Sequence, residues 1–100
     1  MSITLKEDLA NIESTLIETF QTVPFKRDYD TAFGRICNIL RKYGIAENPR
    51  NLRFRFILCM QEFFDSIPEG KWRLKDPDFL KQADEAGINK FIEWVIEQVS

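Results

Sequence analysis

A chain of 100 residues is long enough to bury one hydrophobic core, so residues 1–100 read as a single helical domain. With 44% hydrophobic and 30% charged residues, the composition excludes a disordered chain and matches an ordinary globular one. The formal net charge is only −2 and the sequence pI is near 5.2, unlike the basic balance that usually marks a nucleic-acid domain. The longest apolar run, Phe56 to Met60, is far too short for a membrane span, so no membrane partner is expected. The opening MSITLKEDL turns acidic at Glu7 and Asp8 and does not read as a signal peptide.

The first helix is expected over about 4–23. Leu5, Leu9, Ile12, Leu16, Phe20 and Val23 recur at helical spacing, Thr4 with Glu7 forms a capping box, and Pro24 stops the run. A second helix is expected over about 31–43, capped by Asp30, with Ala32, Phe33, Ile36, Cys37, Ile39, Leu40 and Tyr43 on one arc. Arg41 and Lys42 suit its C-terminal dipole, and Gly44 supplies a left-handed stop that sets Ile45 against Leu40.

Asn48 followed by Pro49 announces a third helix, about 49–65. Its start, NLRFRF, alternates like a strand, but only briefly and with no second strand to pair with. As a helix it gathers Leu52, Phe56, Ile57, Cys59, Met60, Phe63 and Phe64 on a broad apolar arc. That leaves Phe54 and Leu58 among polar residues. Either the helix is central and covered nearly all round, or this pair faces solvent.

SIPEG is a turn and KWRLK an irregular connector. Asp76 and Pro77 repeat the cap-then-proline signature and open a short helix near 77–85. Gly87 is read as an interruption, although a glycine inside one bent helix costs only about 1 kcal/mol. A last helix, about 88–99, carries Ile88, Phe91, Ile92, Val95, Ile96 and Val99, with Trp94 at the edge of the stripe. The expected fold is therefore all-α, a compact bundle of four to five short helices.

No catalytic, cofactor or metal motif stands out, so no enzyme activity and no cofactor are expected. The chain has no His, which removes the commonest general base and metal ligand. Cys37 and Cys59 lie on apolar arcs and read as buried thiols in a reducing cytoplasm; a disulfide would need their helices to bring them together. The scattered glycines make no phosphate-binding loop, and the paired acids lack calcium-loop spacing.

Charge is unevenly distributed. Residues 1–25 carry one Lys against four acids (net −3), residues 26–75 eleven basic against six acidic (net +5), and residues 76–100 two against six (net −4). One reading is structural: acidic end helices lie beside the basic middle and share weak surface ion pairs. The other is a partner-binding face. Arg35, Arg41 and Lys42 on the second helix and Arg53 and Arg55 on the third would supply charge. Phe54, Leu58 and Trp72, the last flanked by Lys71 and Arg73, would supply apolar anchors. An acidic surface of a larger protein is the expected partner. Nucleic acid is the less favoured alternative, and self-association a third. Size and class are those of adaptors, inhibitors and immunity proteins, a comparison that carries no residues with it.

Overall fold

The computed structural model describes residues 2–100, without the side chains of Ser2, Ile3, Thr4 and Pro24. Among the described residues four α-helices follow one another: α1 (Ser2–Phe20), α2 (Tyr29–Arg41), α3 (Pro49–Asp65) and α4 (Pro77–Val99). Single 3-10 turns at Pro24–Lys26 and Glu69–Lys71 interrupt the connectors, and there is no strand among the described residues. The chain is an all-α bundle.

Each helix packs on two neighbours: α1 and α3 lie diagonally across the bundle, and both rest on α2 and α4. The core draws on all four, with Ile12 and Leu16 from α1, Phe33, Ile36 and Leu40 from α2, Leu52 and Phe56 from α3, and Phe91 and Val95 from α4. Aromatic rings stitch its middle together. Phe20 and Phe56 meet at 4.6 Å between centroids, and Phe33, Phe56 and Phe91 form a mutual cluster at about 6 Å. A second cluster of Phe63, Phe64, Trp72 and Phe79 fastens the connector between α3 and α4. No helix among the described residues is long and apolar enough to cross a membrane.

Local chemistry explains the helix ends. Asn48 Oδ1 accepts from the Asn51 amide at 2.9 Å with Pro49 at the first helical position, and Asp76 Oδ1 accepts from the Asp78 amide at 2.9 Å ahead of Pro77. Gly44 takes φ +76°, and the amides of Ile45 and Gly44 return to the carbonyls of Leu40 and Arg41 in a Schellman closure.

The structure departs from the sequence expectation at four places. First, α1 begins at Ser2, so Thr4 is not its cap; the Thr4 side chain, and with it the capping box, lies outside the described residues. This helix also ends at Phe20 rather than near 23. Val23 precedes a proline, which disfavours helical backbone, and the Arg27 side chain collects the free carbonyls of Phe20 and Thr22 at 3.2 and 2.8 Å. Second, α2 starts two residues early because Asp28, not Asp30, accepts the Thr31 amide at 3.0 Å. Third, the two expected helices 77–85 and 88–99 are one. Gly87 is buried within α4, and a Cβ there would stand 2.6 Å from Met60 Cγ and 3.0 Å from Phe56 Cζ. The glycine is a point of close helix approach. Fourth, Ile57 and Ile96 are not part of the buried arcs expected for them: they are 51% and 41% exposed.

Candidate interaction surface

The outer face of α3 is built by the same periodicity that buries its inner one. Leu52, Phe56 and Cys59 point into the core, so residues offset by half a turn point away from it. Those residues are Phe54, Ile57 and Leu58, exposed by 62%, 51% and 42%. The structure thus decides between the two sequence readings: α3 is not covered all round. Arg50 stands at the N-terminal end of this ridge, and Gln61 and Asp65 at the other.

Two arginines frame the ridge. The Arg53 guanidinium lies 4.6 Å over the Tyr29 ring of α2, and that of Arg55 lies 5.1 Å over the Trp94 ring of α4. Stacking leaves the guanidinium edges free to donate hydrogen bonds outward. Beside Arg55, a groove of about 280 Å³ between α3 and α4 is lined by Leu58, Cys59, Glu62, Lys90 and Trp94, among others.

The structure brings Arg53, Phe54, Arg55 and Leu58 onto one face and disperses the other six candidates. Arg35 lines a cleft between α1 and α2 with Glu18 and Thr22. Arg41 is exposed beside the Gly44–Asn48 turn. Lys42 is paired with buried Asp8 at 3.2 Å. Lys71 and Arg73 are exposed on the connector, while Trp72 between them turns inward. Its indole N–H donates to the carbonyls of Phe64 and Ile67 at 3.2 and 3.1 Å, closing the C-terminal end of α3. Ile57, Arg50 and the aromatic platforms Tyr29 and Trp94 complete the face. The sequence signal for Ile57 was present, because on a helical wheel it stands at the edge of the apolar arc nearest Phe54.

Charge pairing between ends and middle is real but selective. Asp8 of α1 binds Lys42, Asp84 of α4 binds Arg27 at 3.2 Å, and Lys90 lies 3.7 Å from Glu62. Arg50, Arg53 and Arg55 make no ion pair among the described residues.

The buried carboxylates have structural partners. Asp8 accepts from the Tyr43 hydroxyl at 2.6 Å and from Lys42 Nζ; the tyrosine bond, more than the lysine, holds its carboxyl below the usual range despite burial. Asp84 moves the opposite way, since burial raises it more than Arg27 lowers it. Cys37 and Cys59 are free and buried, and burial pushes both thiols up, away from the reactive thiolate. Among the described residues, no three Cys, Asp or Glu side chains gather as a metal-ligand set. No family model matches this chain, and neither does any curated protein or solved structure.

Proposed function

We propose that this chain is a non-enzymatic protein-interaction module of the adaptor, inhibitor or immunity type, acting in the cytoplasm. It docks the outer face of α3 onto an acidic surface of a larger protein. The observation that carries this reading is the ridge of Phe54, Ile57 and Leu58, set between two ring-stacked guanidiniums with no role in the core. Adjoining exposed apolar side chains are what an interface uses as anchors, and arginine is the charged residue most enriched beside them. The sign of the partner follows from charge: from Asn48 to Gln61 there are three arginines and no acid.

The test is affinity capture from native lysate, with and without nuclease, using the wild type and an Arg53→Glu, Arg55→Glu double variant. Each reversal sacrifices one exposed ring stack worth about 0.5–1 kcal/mol, so the variant should stay folded by circular dichroism. Loss of the captured protein supports the docking face. Capture at full strength rules it out, and recovery that vanishes with nuclease would assign the face to nucleic acid instead.

A further inference from the structure

The order of side chains along the α3 ridge is self-complementary. From the N-terminal end it reads Arg50, Phe54, Ile57, Leu58, Gln61, Asp65: a cation, an apolar centre, a polar residue and an anion. Arg50 and Asp65 lie equally far from the midpoint between Ile57 and Leu58, about 11 Å each at 1.5 Å per residue. At 100° per residue, Arg50 and Asp65 also flank the line through the middle of the apolar ridge symmetrically.

We infer that this ridge pairs with the same ridge of a second copy, antiparallel about a two-fold axis at Ile57 and Leu58. The proposal rests on the reading of α3 as a docking face and names an occupant for it. The pairing brings Arg50 of each copy to Asp65 of the other, sets Phe54 opposite Gln61, and closes Ile57 and Leu58 over one another at the centre. A parallel pairing would instead set Arg50 beside its own equivalent, and Arg53 and Arg55 likewise, and like charges in register repel. A two-fold contact is self-complementary by construction, which is what this order of residues supplies. In such a dimer the face meant for an acidic partner is already covered by an acidic helix end. The dimer is then the resting form, and a larger partner must displace the second copy.

The experiment is sedimentation equilibrium of the purified full chain from about 1 µM to about 1 mM, in wild type and three variants. The wild type is expected to rise from 11.8 kDa to twice that mass with concentration. Arg50→Asp and Asp65→Arg should each weaken dimerisation about tenfold, because each creates two like-charge contacts per dimer. The double variant carrying both should recover most of the wild-type affinity, which only the antiparallel register predicts. A wild type that stays monomeric at every concentration overturns the proposal, as does a dimer that the charge exchange fails to restore. Either result leaves the docking face itself standing if capture still depends on Arg53 and Arg55. If capture survives their reversal while the charge-exchange dimer forms, the larger partner falls and the second copy alone remains.

Discussion

Gly87 of α4 lies against the ring of Phe56 on α3, with space between them for hydrogen but not for a methyl group. The two best-packed helices of the bundle meet here, so the absence of a side chain sets how closely they approach. Replacing Gly87 with alanine gains about 1 kcal/mol of helix propensity but forces Phe56 and Met60 out of place, at about 1–3 kcal/mol. The expected net effect is a loss of roughly 1 kcal/mol, or a fall of about 4–8 °C in melting temperature for a domain of this size. Gly34 of α2 provides the contrast, because a Cβ there meets only Pro49 Cγ at 4.0 Å. Gly34→Ala should therefore raise the melting temperature, with a gain of about 0.5–1 kcal/mol. Thermal unfolding of the two variants should shift in opposite directions; a common direction contradicts the close-approach account.

Arg27 does three things at once. It donates to the carbonyls of Phe20, the last residue of α1, and of Thr22 just beyond it, stacks over Phe20 at 4.4 Å and pairs with Asp84 of α4. Its side chain is only 8% exposed. Arg27→Met keeps much of the apolar stem but strands Asp84 beside it, at a cost of about 3 kcal/mol at neutral pH. The folded Asp84 already binds its proton more tightly than a free carboxyl does. Its ionisation therefore costs stability progressively as pH rises from the ordinary carboxylate value through the folded one. Without Arg27 that cost grows, so the difference between variant and wild type should shrink when urea unfolding is repeated near pH 4.

Asp8 has the opposite sign. Its folded pKa is depressed, so its contribution is fully present above the ordinary carboxylate value. That contribution is lost as pH falls through the lower folded value, a window below about pH 4. Tyr43 is raised, first by its bond to Asp8, so its share persists below the ordinary phenol value and fades as pH climbs beyond about 10. Tyr43→Phe should lower the urea midpoint at pH 7, and the deficit should narrow as pH falls below about 4, because Asp8 without the hydroxyl takes up its proton sooner and sheds the cost of its buried charge. A deficit that is constant with pH would mean the ring's packing, not the hydrogen bond, is what was lost.

The sequence was most legible where one residue decides its own neighbourhood. Asn48 with Pro49, Asp76 with Pro77, and Gly44 each act within a single turn, and each does in the fold what its chemistry implies. Legibility failed where a distant partner decides. Gly87 reads as a break because helix propensity knows nothing of Phe56, thirty-one positions earlier. Asp30 reads as the cap of α2 until the Thr31 amide is seen to bind Asp28 instead. Trp72 reads as an anchor for a partner until its N–H is seen to face the carbonyls of Phe64 and Ile67. The helical wheel placed Phe54 and Leu58 opposite the core, but whether another helix covered them was a question of bundle geometry. In a four-helix arrangement every helix keeps one free side, and for α3 it is theirs.

That free side separates two neighbours in sequence. Phe54 is 62% exposed and Phe56 is 3% exposed, one phenylalanine on each face of the same helix. Phe56→Ala should cost about 3–5 kcal/mol, since its ring touches those of Phe20, Phe33 and Phe91 and the cavity left behind cannot close. Phe54→Ser combined with Leu58→Ser should cost far less, about 0.5 kcal/mol at Phe54 and about 1 kcal/mol at Leu58, whose branch is partly covered at 42% exposure. The same double change should abolish capture of the protein partner, and dimerisation with it. Paired urea titration and sedimentation on the two variants would read both effects. If the serine variant proves as unstable as Phe56→Ala, the ridge belongs to the fold rather than to a partner, and the docking reading is lost.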